Sequence, residues 1–309
     1  YNNQKTSSSF DEFNSEMETA AFLIIQNDSI LTEKYYNGYD ENSVINSFSM
    51  SKTLVYVSLA KAIEEGHINS FQQKVIDFIP ELKGPFASEL KVIDLASMHS
   101  GLKWTEPSLN PFSVLAKTYF VKDLNKLMLE QPIIKKPGVN FQYSSGDYQI
   151  LSILIERATG EKITDYFSKH FWRKMNAEQD AIWQLDSYES ANAKAFCCFS
   201  TNARDLSRIG KLYLNSGNWN GEQLVDSSFI KTSFTTKGSP IYGIGIWVDN
   251  YKGYEIGMIR GHLGQYVIFI PEKELIISRF GRNYIDKGII EVTEDTYIYI
   301  DEALRITGS

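Results

Sequence analysis

The β-rich segments of this chain lie at its two ends, and its helical periodicities lie between them. Near the start, Ala21-Phe22-Leu23-Ile24-Ile25 and Ile30-Leu31-Thr32-Glu33-Lys34-Tyr35-Tyr36 flank the short polar stretch Gln26-Asn27-Asp28-Ser29, a pattern that predicts a hairpin. Toward the finish, residues 242–248, 254–259, 266–270 and 275–280 read as successive strands, punctuated by Asp249-Asn250, by residues 261–264 and by Pro271-Glu272-Lys273. Between them, residues 52–65 (closed by Gly66), 90–98, 121–129, 148–158 (closed by Gly160) and 202–214 (closed by Gly217) read as helices. Residues 291–306 read as a final helix despite their Tyr, Ile and Thr content, and residues 1–18 as a polar, surface-lying lead-in. Strands at both termini with a helical middle imply one antiparallel sheet built from the two ends and interrupted by an insertion. The expected class is α/β (α+β), with residues 1–75 and 206–309 forming the sheet domain and 76–205 an all-helical insertion domain.

Composition narrows the function. A chain of 309 residues buries a sizeable core without structural metals or disulfides. Lys and Arg number 31 against 38 Asp and Glu, a net charge of −7 that disfavours nucleic acid as a partner. The 18 Tyr, 18 Phe and 5 Trp carry too much apolar surface for a disordered chain. No run approaches the roughly 18–20 apolar residues of a membrane span. Cys197 and Cys198 are adjacent, which predicts two small buried thiols with no disulfide between them and no Cys-x-x-Cys redox or zinc motif. The opening Tyr1-Asn2-Asn3-Gln4 lacks a Met, as in a trimmed chain, and this by itself carries no information about a periplasmic, extracytoplasmic or cytoplasmic location.

The most informative stretch is Phe48-Ser49-Met50-Ser51-Lys52-Thr53-Leu54, which opens an almost wholly apolar helix. Positions i and i+3 share a helix face, so the Ser49 hydroxyl and the Lys52 amine can meet at the positive end of the helix. Burial and the dipole both push the lysine toward a neutral amine able to take the serine proton, and the first turn supplies free N–H groups to a developing oxyanion. Without partners, the same letters describe a capping serine and an exposed lysine. Two other stretches supply candidate partners. In Phe141-Gln142-Tyr143-Ser144-Ser145-Gly146-Asp147, a polar turn before a helix, a lysine nearby would favour the Tyr143 phenolate and let it relay protons. In Arg260-Gly261-His262-Leu263-Gly264-Gln265, between two strands, glycines permit close approach of backbone to a ligand.

Ser49-Met50-Ser51-Lys52, Tyr143-Ser144-Ser145 and His262-Leu263-Gly264, in that order, resemble the three motifs of the serine β-lactamase and penicillin-binding-protein superfamily in its class C, esterase and DD-peptidase branch. Leu95-Ala96-Ser97-Met98-His99-Ser100-Gly101-Leu102 is similar to the Ser-Gly-Leu loop of that family. Residues 172–186, 203–213 and 217–221 resemble the 6-aminohexanoate-dimer hydrolase subgroup. The resemblance implies a β-lactamase/transpeptidase-like fold whose sheet is flanked by terminal helices, and a two-step acyl transfer to water. It implies Ser49 as nucleophile, Lys52 and Tyr143 as acid/base partners, and the N–H groups of Ser49 and Gln265 as oxyanion hole. Ser145, His262 and Gly264 would line the substrate site; Trp104 would either wall the cleft or pack in the core. No cofactor or metal is implied.

The subgroup resemblance implies a linear amide or carboxyl ester as substrate, small or a short peptide, and two departures from the β-lactamase pattern count against efficient β-lactam hydrolysis. Ser145 stands where β-lactamases of this branch have Asn, and His262 replaces a lysine, removing most of the cationic charge at neutral pH. The rivals are a DD-peptidase or weak β-lactamase and, from another class, a non-catalytic peptide-binding scaffold. Lys237-Gly238-Ser239 reads as a decoy of the third motif; Gly243 and Gly245 do not make a dinucleotide fingerprint, and His67, His99 and His170 lack metal-ligand spacing.

Overall fold

The structure, a computed structural model, describes residues 4–106, 112–285 and 291–308. Both ends of the chain build one antiparallel sheet. Strands β1 (Thr19–Gln26) and β2 (Ser29–Tyr35) come from the N-terminal part, and β3 (Trp247–Tyr251), β4 (Tyr254–Gly261), β5 (Gln265–Ile270) and β6 (Leu275–Gly281) from the C-terminal part. Their order across the sheet is β2-β1-β6-β5-β4-β3, so the two ends join at β1–β6, where Phe22 pairs with Arg279. The β1–β2 turn is Asn27-Asp28, both at positive φ (49° and 60°), the conformation that suits a tight hairpin between right-twisted strands.

Five longer helices accompany this sheet among the described residues: α1 (Ser8–Glu16), α2 (Ser51–Glu64), α3 (Ser145–Thr159), α4 (Ala203–Leu214) and α5 (Glu294–Thr307). On one face, Phe10 of α1 and Tyr299 of α5 enclose Phe22 of β1, with ring centroids 4.8 and 5.8 Å from it. On the other, α4 lies so close that a Cβ at Gly210 would come within 2.9 Å of Val267 and 3.1 Å of Ile276. Helix α2 is buried along most of its length, as its apolar composition predicts, and packs against α3.

Several sequence expectations need correction. The lead-in expected to lie on the surface folds over Ser8–Glu16 into α1, which buries Phe10 and Asn14; Ser7 caps it, accepting a hydrogen bond from the Phe10 amide. Asp249-Asn250 lies inside β3; the turn is Lys252-Gly253, at φ 52° and 86°. Residues 242–246 stay outside the strand, touching it through a bridge from Tyr242 to Trp247. The helix expected over 90–98 spans only Val92–Ala96, and that over 121–129 only Leu124–Leu129. Cys197 and Cys198 are buried as expected but joined in a disulfide. Cys198 sits at φ 70°, off the extended path on which neighbouring side chains point apart, and that turn lets adjacent sulfurs meet.

Candidate active site

Ser49 does not open α2 itself. It sits in the 3₁₀ turn Phe48–Met50 that leads into the helix, and Phe48 takes a left-handed φ of 51°, a strained conformation for a bulky residue. The turn is anchored from below, where the Ser47 hydroxyl donates to the Phe199 carbonyl at 2.7 Å. Ser49 and Phe48 are left partly exposed, while Ser47, Met50 and Ser51 on either side are buried.

One turn on, the buried Lys52 amine donates to Ser49 Oγ at 3.0 Å and to the Phe196 carbonyl at 2.9 Å. Among the described residues no carboxylate pairs with it. Desolvation brings its pKa down to about 8, against an opposing pull from the Glu106 charge. The neighbouring segment is held rigidly: Ser51 Oγ donates to the Ala195 carbonyl at 3.0 Å, and Gln149 Oε1 accepts from the Ala195 amide at 2.9 Å.

Tyr143 lies over this pair, its ring centroid 5.1 Å from Lys52 Nζ, stacked at 5.4 Å on Trp247 and edge-on at 6.0 Å to Tyr242. Burial drives its phenol well above the usual range, the Glu106 charge adds to the rise, and hydrogen bonding with Ser49 offsets part of it. This corrects the phenolate expectation: Lys52 tends toward the neutral amine in the same desolvated space, and Tyr143 is held as a neutral phenol.

The second motif belongs to a helix start rather than to a preceding turn. Ser144 caps α3 by accepting from the Asp147 amide at 3.1 Å, so Ser145 is the first helical residue, and it is buried. Its amide donates to Glu106 Oε1, which also accepts from Trp104 Nε1 at 2.9 Å. The Trp104 ring is itself only 5% exposed, and a Cβ on Gly146 would come within 2.8 Å of it, so Trp104 serves the packing of α3.

The third motif forms the β4–β5 hairpin loop. Gly261 lies against the turn that carries Ser49: a Cβ there would fall 2.1 Å from the Ser47 carbonyl and 3.2 Å from Met50. His262 is exposed, edge-on to Phe48 and Tyr284 with both ring centroids at 5.7 Å. Leu263 and Gly264 follow at φ 61° and 74°. Gln265 is buried, and its side-chain amide locks onto the end of β6 by donating to the Gly281 carbonyl and accepting from the Gly281 amide at 3.2 Å. Direct contact therefore joins Ser49, Lys52 and Tyr143, with the His262–Gln265 loop beside them; Ser145 stands at the α3 terminus.

Glu106, the Phe196 carbonyl, Trp247 and Arg279 were not singled out in the sequence. No local pattern marks them, since each reaches the site through a long-range contact. The decoys have ordinary partners: Lys237 with Asp94 at 3.6 Å, and His67 and His170 with Glu65 at 3.7 and 3.4 Å. Among the described residues no group of three or more His, Cys, Asp or Glu is arranged to hold a metal ion, and no helix is long and apolar enough to cross a membrane.

Comparison with known proteins places this arrangement. The 6-aminohexanoate-dimer hydrolase of Paenarthrobacter ureafaciens is 26% identical over 226 residues, covering 69% of this chain and 56% of its own. The chain thus spans about half the length of that relative. A Bacillus anthracis structure provisionally assigned as a 6-aminohexanoate-dimer hydrolase superimposes with a TM-score of 0.83 at 22% identity, over 96% of this chain and 82% of its own. A family VIII carboxylesterase structure superimposes with a TM-score of 0.73 at 14% identity, over 96% and 95% of the two chains. The family described as Beta-lactamase matches residues 8–280, nearly the whole fold built above, and the chain belongs to that family.

Proposed function

We propose that this chain is a serine hydrolase that cleaves a linear amide or carboxyl ester through an acyl-enzyme on Ser49. The observation that carries the reading is the 3.0 Å contact between Ser49 Oγ and a buried lysine amine whose pKa is brought down to about 8. A lysine so placed is neutral to roughly a tenth to a fifth near physiological pH, against about 0.1% for an ordinary lysine, and that fraction can act as general base. Lys52 takes the Ser49 proton as Oγ attacks the substrate carbonyl. The amides of Ser49 and Gln265 receive the oxyanion. Tyr143, a neutral phenol, gives its proton to the departing amine or alkoxide and regains one from the Lys52 ammonium. Water then attacks the acyl carbonyl, giving up a proton along the same path, and Ser49 leaves with its hydroxyl restored.

The sheet unit (1–75 and 206–309) and the insertion (76–205) would flank the cleft; the insertion is not all-helical as expected, since Ile182–Trp183 and Phe199–Thr201 form short strands in it. The exposed His262, standing where a lysine would grip a substrate carboxylate, supports a preference for substrates without that group. The names of the amide-cleaving relative and the esterase neighbour agree with an open-chain substrate. The test is labelling with a fluorophosphonate and with a fluorescent penicillin, followed by peptide mass spectrometry, beside p-nitrophenyl ester and linear-amide turnover. Phosphonate label on Ser49 with rapid turnover, both abolished in Ser49→Ala, is the expected result. A long-lived penicilloyl adduct without ester turnover would point to a peptidase, and no label from either reagent to a binding scaffold.

A further inference from the structure

Arg279 is the largest side chain buried without exposure in this protein, and its guanidinium has no carboxylate partner among the described residues. It donates instead to carbonyl oxygens. Nη1 reaches Gly264 at 2.7 Å, Asn283 at 2.9 Å and Leu263 at 3.1 Å; Nη2 reaches Met17, and Nε the Thr19 hydroxyl at 3.2 Å. A buried cation costs several kcal/mol of desolvation, and oriented carbonyl dipoles are what offset it here. Two of those carbonyls belong to the third-motif loop. The loop is built around the guanidinium: a Cβ on Gly264 would sit 2.1 Å from Nη1, and one on Gly281 2.3 Å from Nη2.

The Gly264 carbonyl and the Gln265 N–H are the two ends of one peptide unit. In a trans peptide the N–H points opposite to the C=O, so with the carbonyl turned onto the buried guanidinium the N–H faces away from it. A charge-assisted hydrogen bond to a carbonyl draws electron density from the amide nitrogen and makes the N–H a stronger donor. The Gln265 side chain meanwhile ties the same residue to Gly281, two positions beyond Arg279 on β6.

We infer that Arg279 is a positioning residue that orients and polarises the Gly264–Gln265 peptide as an oxyanion donor, acting from behind the loop without touching substrate. The inference rests on the acyl-enzyme reading above, in which the Gln265 amide receives the oxyanion.

The sequence contains a single Gly-Gln step, Gly264-Gln265. Protein labelled with carbonyl-13C glycine and amide-15N glutamine therefore gives one carbonyl-to-amide NMR correlation, which reports this peptide alone. Arg279→Lys and Arg279→Gln are compared with the parent chain, with folding checked by circular dichroism. The expected result is an upfield move of the Gly264 carbonyl and the Gln265 nitrogen, and a kcat on p-nitrophenyl esters lowered roughly 10- to 100-fold with KM changed less than about threefold. The acyl-enzyme carbonyl stretch should move to higher wavenumber, and a trifluoromethyl ketone should lose affinity in step with kcat. If both variants fail to fold, a parent-chain Gly264 carbonyl shift typical of an unbonded loop overturns the inference. Folded variants with unchanged stretch and kcat overturn it too. Failure of Ser49 to take a phosphonate in the parent chain would instead bring down the acyl-enzyme reading, a separate outcome.

Discussion

Lys52 Nζ and the Phe196 carbonyl oxygen stand 2.9 Å apart, and this contact, with Ser49 Oγ as the other partner, fixes where the amine can point. A main-chain carbonyl is a neutral acceptor. It holds the side chain in place without the full charge that would keep it an ammonium, leaving desolvation to set the proton affinity.

The pH dependence follows with a definite sign. On the proposed mechanism activity requires the neutral amine, so kcat/KM for an ester should rise through a limb near pH 8 and level off above it, as Lys52 loses its proton. The Glu106 carboxylate favours the ammonium. In Glu106→Gln, whose Oε1 can still accept from Ser145 and Trp104, the limb should shift to lower pH; a limb that stays in place, or moves up, would contradict the assignment of Lys52 as base. Lys52→Ala should lower kcat by roughly 10²–10⁴, the usual worth of a positioned base.

Tyr143→Phe removes the phenol and keeps the stack on Trp247. We expect kcat to fall by about 10²-fold or more with little change in melting temperature. Because burial holds the phenol above its ordinary range, the parent enzyme should show no descending limb from this residue below about pH 10. Leaving-group dependence measures the role: the loss should be larger for amides and alkyl esters than for p-nitrophenyl esters, whose leaving group needs no proton.

Gly264→Ala places a methyl group at φ 74° and against the Arg279 guanidinium. The backbone alone costs about 1–2 kcal/mol, and the clash adds to it. Urea unfolding should show the loss, and kcat should fall with it. Gly253→Ala, at φ 86° with open space around its Cβ, should cost the backbone term only and leave kcat intact.

The Cys197–Cys198 bond is checked by alkylation. Iodoacetamide should add nothing to the unfolded, unreduced chain and should modify both cysteines after reduction. The bond begins one residue beyond the carbonyl that holds Lys52. The double replacement Cys197→Ser/Cys198→Ser should therefore disturb the acid limb of kcat/KM more than KM.

Legibility in the sequence tracked the range of the interaction. Ser49 and Lys52 are three residues apart, and the helical repeat alone brings them together, so their contact could be anticipated. The hairpin of β1 and β2 and the closing helix were likewise local signals. Arg279 was read only as one letter in an apolar strand, because the loop it holds is fixed by sheet register, which a strand pattern does not state. Glu106 follows an undistinguished loop, and its partners Ser145 and Trp104 are assembled around it by tertiary packing. The Tyr143 phenolate was misjudged because its proximity to a lysine was weighed without the desolvation that both groups share.

The pairing of β1 with β6 brings Thr19 to Arg279, residues 260 apart along the chain. Contacts of such long sequence separation are slow to form, since the ends must meet before they are rewarded. During synthesis β1 leaves the ribosome early, and until β6 follows, its inner edge has no partner and the loop beside Ser49 has nothing to hold it. On the proposed reading, hydrolytic competence is thus tied to emergence of β6, and a chain released before that point would expose an apolar edge open to association.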